Sequence, residues 1–216
     1  MSIEIRRIQG LLPYRDGWDM QHRLLEQVDK GIAPETILLV EHSPVFTLGF
    51  HGNAANMLAS QELLQSRGAE IIRVERGGDI TFHGPGQLVA YPILRLRDRH
   101  YGVKSYVSRL EQSVIDTCAA FGIKSGRVED ATGVWCGIDT DAERKICAIG
   151  VKVSHGVTMH GLALNVNTDL EWFRLINPCG FITKGVTSIM AETGNTPDLD
   201  HVADILSERL TVNLTE

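Results

Sequence analysis

Apolar and polar positions along this chain change period several times, and each change predicts an element. Over residues 14–30, Trp18, Leu25 and Val28 share one stripe and Gly31 follows as a stop, which predicts an amphipathic helix. Residues 36–41 form a short, nearly continuous apolar run, as a buried strand requires. Residues 60–67 read as a short helix ended by Gly68, and residues 70–74 as a strand feeding a glycine-rich segment. Residues 87–96 predict another strand, in which Pro92, lacking an N–H, favours an edge or a bulge. Val103, Val107, Leu110, Val114, Cys118 and Phe121 recur at spacings of three and four, so residues 103–121 predict a core-facing helix closed by Gly122. Residues 133–136 and 145–154 read as strands joined by the polar loop 138–144. Residues 169–176 suit a helix of one or two turns, and residues 199–210 a last helix after the cap residue Asp198.

His155-Gly156 lies between two apolar runs and fits a two-residue hairpin turn, where glycine eases positive φ. That turn fixes a register: Ser154 faces Val157, Gly150 faces Gly161, Ile149 faces Leu162 and Ala148 faces Ala163. The small residues Ala148, Gly150, Gly161 and Ala163 then share one sheet face. They leave either a shallow trough for a thin apolar chain or room for a helix packed close to the sheet, and spacing alone favours neither. Strict alternation puts Lys145 on the face opposite Ala148, unless the strand end twists or bulges.

Composition narrows the class. With 216 residues, 43% apolar and 22% charged, the chain suits one soluble domain spanning 1–216. No stretch reaches the length of a membrane span and the first ten residues lack a leader's apolar core, so no membrane role and a cytoplasmic location are expected. A net charge of −6 argues against a general nucleic-acid surface; Arg95, Arg97 and Arg99 are a local basic patch or a solvated strand end. The cysteines, at 118, 136, 147 and 179, form no C-x-x-C pair and read as reduced thiols, with Cys118 on the core stripe. No H-x-H pair or zinc-type cluster occurs, so no metal is expected. Residues 76–87 hold four glycines without the spacing of a P-loop or a dinucleotide fingerprint, so they imply no nucleotide. Glycines and Pro85 there can instead bring backbone N–H groups to a carbonyl oxygen.

Cys179 sits between Pro178 and Gly180, in a turn downstream of a segment that supplies Lys145. A free thiol, with a pKa of about 8.5, is mostly protonated at neutral pH and needs a nearby cation or base to act as a nucleophile. An ammonium roughly 4 Å away, at an effective dielectric near 20, supplies about 4 kcal/mol of attraction before desolvation is subtracted. A buried structural cysteine is the competing assignment for the same tetrapeptide.

Four segments decide between these by resemblance. Arg76-Gly77-Gly78-Asp79-Ile80-Thr81-Phe82-His83-Gly84-Pro85-Gly86-Gln87, Lys145-Ile146-Cys147-Ala148-Ile149-Gly150, Met159-His160-Gly161-Leu162-Ala163-Leu164-Asn165-Val166-Asn167 and Asn177-Pro178-Cys179-Gly180 resemble, in order, the motifs of the lipoyl(octanoyl) transferase family. The resemblance spans residues 41–180. It implies an α+β fold, a mixed or antiparallel sheet with packed helices like the catalytic domain of biotin and lipoate protein ligases. It also implies transfer of an octanoyl group from octanoyl acyl carrier protein, whose phosphopantetheine carries the donor thioester, to a lysine of lipoyl domains. The implied acceptors are E2 subunits of 2-oxoacid dehydrogenases and the glycine cleavage H protein, with no ATP or metal as cofactor. In these terms Cys179 carries the acyl group and Lys145 activates it. Substrate contacts fall on Arg76, Gly77, Gly78, Asp79, Ile80, Thr81, Phe82, His83, Ala148, Ile149, Gly150, Gly161, Leu162 and Ala163. An ATP-dependent lipoate or biotin ligase, a thiol hydrolase and a noncatalytic binding protein are the alternatives; an acyl-cysteine and transfer to a protein lysine separate the first reading from them.

Overall fold

The structure, a computed structural model, describes residues 3–177 and 185–215. Its centre is a mixed sheet in which β1 (Glu4–Leu12), β2 (Thr36–His42), β6 (Gln87–Ile93), β10 (Val157–Asn165), β9 (Arg144–Ser154), β8 (Ala131–Cys136) and β7 (Ser125–Val128) lie side by side in that order. The pairing is antiparallel except for β1 with β2, and the short β11 (Gly185–Val186) adds to β9 in parallel. A second sheet sets β3 (Val45–Leu48) between β4 (Glu70–Arg73) and β5 (Ile80–His83).

Strand alternation divides the apolar residues of the main sheet between two layers. On one face Ile37, Leu39, Leu88, Ala90, Cys147, Leu162 and Leu164 pack against α3 (Val103–Ala120) and α5 (Leu199–Thr215). On the other, Leu38, Val40, Val89, Tyr91, Ile93 and Ala163 meet Leu24, Leu25 and Val28 of α1 (Tyr14–Asp29). The remaining helices, α2 (Gln61–Ser66) and α4 (Ile189–Thr193), are short and carry serine caps at Ser60 and Ser188. Among the described residues no helix is long and apolar enough to cross a membrane.

The α+β expectation is met, and most elements fall where periodicity put them. Gly31 and Gly122 stop α1 and α3 with φ of +69° and +72°. Along α3, however, the buried stripe runs through Tyr106, Leu110, Val114 and Cys118, while Val103 stands 46% exposed in the first turn. The hairpin forms as expected: His155 and Gly156 both have positive φ, and Ser154–Val157, Gly150–Gly161, Ile149–Leu162 and Ala148–Ala163 are partners.

Pro92 does not mark an edge, since β6 is an interior strand between β2 and β10. Neighbouring groups take over its broken ladder. Thr158 Oγ donates to the Pro92 carbonyl at 2.7 Å and accepts the Leu94 N–H at 3.0 Å. Two residues beyond the Leu162–Ala90 pair, His160 swings to a φ of +57° and its N–H donates to Gln21 Oε1 of α1 at 2.8 Å. The backbone polar groups around the proline are thus satisfied from outside the strand.

Candidate active site

An irregularity in β9 builds one wall of the site. Val134 pairs with Cys147 and Trp135 with Lys145, so β9 carries one extra residue, Ile146. Ile146 and Cys147 both enter the α3/α5 core, and Lys145 turns to the opposite face, where it lines a cavity together with Ala148. The bulge thereby supplies what alternation did not. Gly133 makes room for it: at a φ of +121°, a Cβ there would lie 2.5 Å from the Cys147 carbonyl oxygen and 3.4 Å from Lys145 Cε. The lysine side chain runs back along β8, so that Nζ donates to the Thr132 carbonyl at 3.0 Å and lies 4.6 Å from the centre of the Trp135 indole.

The described segments before and after residue 179 are each tied to a different part of the molecule. Asp169 caps a 3₁₀ turn at Leu170–Leu175, the Leu58 N–H donates to the Leu175 carbonyl at 2.9 Å, and the Asn177 N–H donates to the Asn56 carbonyl at 2.7 Å. On the far side β11 pairs with Arg144 and Lys145, and the Thr187 N–H donates to the Lys145 carbonyl at 2.9 Å. Pro178, Cys179 and Gly180 themselves lie outside the described residues.

Opposite this wall stands the glycine-rich segment, clamped by a buried cation. Arg76 is 7% exposed, and its guanidinium donates to the carbonyls of Thr47, Gly77 and Asp79 at 2.7–2.9 Å and to Thr47 Oγ. The Asp79 carboxylate in turn accepts the Asn53 N–H at 3.0 Å and the Asn56 side-chain amide. Arg76, Gly78, Asp79, Ile80, Thr81 and His83 line the cavity, as do Ala148, Ile149, Gly150, Gly161, Leu162 and Ala163. Gly77 and Phe82 do not. The Gly77 N–H donates to the Val151 carbonyl at 3.0 Å, docking the segment on β9, while Phe82 points into the second sheet's core and stacks on Trp172 at 4.9 Å.

The small residues prove to have separate jobs. A Cβ at Gly150 would meet the Gly77 carbonyl oxygen at 2.7 Å and Arg76 Cδ at 3.2 Å, and one at Gly161 would meet the Ala90 carbonyl oxygen at 2.1 Å. Both glycines are therefore demanded by approaching protein backbone, neither by a helix nor by an open trough. Ala148 and Ala163 also line the cavity.

Polar groups reach the cavity from apolar strands, and burial keeps their acid–base forms neutral. His83 Nδ1 lies 2.8 Å from Gln87 Oε1, and the Gln87 amide donates to the Phe82 carbonyl and to Asn165 Oδ1. His42 Nε2 lies 2.8 Å from Tyr91 Oη. Desolvation pushes the imidazoles down, His42 to about 4, His160 to about 3 and His83 well below its ordinary value, and lifts the Tyr14 phenol to about 12. Among the described residues no group of three or more His, Cys, Asp or Glu is placed to hold a metal ion. The buried thiols behind the sheet move the other way: burial raises Cys118 to about 11 and Cys136 to about 12, and lifts Cys147 further, so these thiols stay protonated.

The chain as a whole matches a known catalytic domain. The family model described as the lipoyl protein ligase A/B catalytic domain matches residues 13–211. The chain belongs to this family. Its sequence relatives include an octanoyltransferase of Bacteroides fragilis, 51% identical over 93% of each chain, and one of Rubrobacter xylanophilus, 48% identical over 89% of this chain and 85% of that one. The fold is shared with a bipartite lipoate protein ligase from Thermoplasma acidophilum (TM-score 0.73, 15% identity, 99% of this chain and 85% of that one) and with a biotin protein ligase from Aquifex aeolicus (TM-score 0.56, 14% identity, 100% and 70%). Family membership thus agrees with the four-motif resemblance.

Sequence reasoning did not single out Tyr14, Tyr91, Trp135, Asn165 or Phe173 as cavity residues, although all line it. Trp135 read as simple packing. A usable signal was present for Asn165 and Gln87: each is a polar residue inside an apolar strand, which must find buried partners.

Proposed function

We propose that this protein transfers an octanoyl group from octanoyl acyl carrier protein, through a thioester on Cys179, to a lysine of lipoyl domains. The observation that carries the reading is the β9 bulge, which turns Lys145 into the cavity while Thr187, eight residues after Cys179 in sequence, hydrogen-bonds to the same lysine's carbonyl. The octanoyltransferase name of relatives at about half identity supports the substrate class.

In the first half-reaction Lys145, starting as a neutral amine, takes the Cys179 proton to give an ammonium–thiolate pair, and the thiolate attacks the donor thioester carbonyl. A new C–S bond forms, the bond to phosphopantetheine breaks, and the departing thiolate takes the proton from Lys145. In the second, the acceptor lysine's amine attacks acyl-Cys179, the C–N bond forms as the C–S bond breaks, and Lys145 accepts the amine's proton and returns one to the Cys179 thiolate. Backbone N–H groups of the Arg76–His83 segment suit the developing oxyanion. E2 subunits and the glycine cleavage H protein are the acceptors, and the reaction needs neither ATP nor a metal.

Intact-mass measurement after mixing with octanoyl acyl carrier protein, with and without ATP, tests this. One octanoyl adduct mapping to Cys179 in both mixtures is expected. An adduct on Cys118, Cys136 or Cys147, or an absolute need for ATP, overturns it.

A further inference from the structure

His160 is 1% exposed and lines the cavity, yet among the described residues neither ring nitrogen has a hydrogen-bond partner. One nitrogen of a neutral imidazole donates and the other accepts, so this cavity-lining residue carries two buried polar functions unmet among the described residues. Its nearest aromatic partner, Tyr91, is edge-on at 6.4 Å and commits its own hydroxyl to His42. The ring is held there by its backbone, through the left-handed φ and the Gln21 contact opposite Pro92.

Distance brings an acyl chain to that ring. Lys145 Nζ sits beside Thr132, which the Val134–Cys147 register places level with Ile149; His160 pairs with Val151, two residues further along and two strands over from β8. With about 3.4 Å per residue and about 4.8 Å per strand, the diagonal past Gly150 from one to the other is roughly 12 Å long. An eight-carbon chain at about 1.3 Å per bond covers about 9 Å, and in the proposed reaction the acyl carbonyl lies about 3.5 Å from Lys145, which exchanges protons with both reacting groups. The last carbon therefore arrives at His160.

We infer that His160 forms a polar subsite at the distal end of the acyl cavity, which accepts a hydroxyl on the last carbon of an eight-carbon acyl group. A hydroxyl both donates and accepts, as the neutral imidazole requires, and its burial is matched only if such a partner exists. A site that hydrogen-bonds a substrate hydroxyl distinguishes strongly once the partner is removed. The inference rests on the octanoyl-transfer reading, and its test separates the two.

The test compares kcat/KM for octanoyl and 8-hydroxyoctanoyl acyl carrier protein in the wild type, His160→Leu and His160→Asn. Asparagine tolerates the left-handed backbone and keeps both a donor and an acceptor. The wild type should use the hydroxylated donor within about threefold of the plain one, His160→Leu should lower that ratio at least about tenfold, and His160→Asn should restore part of it. Discrimination against the hydroxyl by about a hundredfold in the wild type overturns the subsite, as does an equal ratio in wild type and a folded His160→Leu. Calorimetry with free octanoate and 8-hydroxyoctanoate reads the same ratio without turnover. A protein that binds both acids with the expected ratio but transfers neither acyl group refutes the transferase reading and leaves the subsite standing.

Discussion

The two faces of the main sheet are made by the same strands and follow different rules. Towards α3 and α5, β6, β9 and β10 present Leu88, Ala90, Cys147, Leu162 and Leu164, and packing is limited by volume. Towards the cavity they present Tyr91, Lys145, Ala148, Gly150, His160 and Ala163, and geometry is limited by backbone approach and by polar partners. Lys145 and Cys147 show the contrast at closest range. They are two residues apart and ordinary alternation would place them together, yet the Ile146 bulge puts one on each face. One face keeps its thiol inert and the other supplies a cation.

The largest effect should come from removing that cation. Lys145→Met keeps an unbranched stem, and octanoyl transfer should fall about a thousandfold while thermal stability changes little. Paired activity and melting measurements check this; a comparable loss of stability would move Lys145 to the structural side of the comparison. Leu164→Ala makes the mirror-image test on the packed face, where a fully buried leucine should cost about 3 kcal/mol in urea unfolding with transfer per folded molecule near wild type.

Gly150→Ala probes the close approach itself. The new methyl meets the Gly77 carbonyl oxygen, so the Arg76–Gly77 segment must shift, at a cost of about 2 kcal/mol in unfolding free energy. A neutral result would return this glycine to the role of open floor. The smallest effect is electrostatic. Burial keeps the native His160 imidazole neutral down to about pH 3, whereas the unfolded chain protonates near pH 6.5, so the unfolded state binds more protons at pH 5 and stability falls as pH falls. His160→Asn should flatten the decline between pH 6 and pH 5 by about 1 kcal/mol, read from unfolding curves at the two pH values. An unchanged slope would mean that the ring is not held neutral.

Local order was legible in the chain because it depends on neighbours within a few residues. The His155-Gly156 turn with its register and the glycine stops at Gly31 and Gly122 follow from side-chain spacing and from which residues accept positive φ. The strands β1 and β7 escaped because they are edge strands that bury little of either face, and β3 and β5 because each pairs with a strand over thirty residues away. Four motifs were enough to place the chain in its family and to identify most cavity residues.

What tertiary structure alone decided is which face each residue meets and what closes over it. The Ile146 bulge depends on Gly133 in the neighbouring strand, and Pro92 is tolerated in an interior strand because Thr158 and Gln21 take over its hydrogen bonds. Gly150 and Gly161 were recognisable as small residues, but the backbone that requires their smallness comes from Gly77 and Ala90, over seventy positions earlier in the chain. Periodicity records how a strand alternates. The approach of distant backbone, and the hydrogen bonds that distant side chains complete, exist only once the layers have packed.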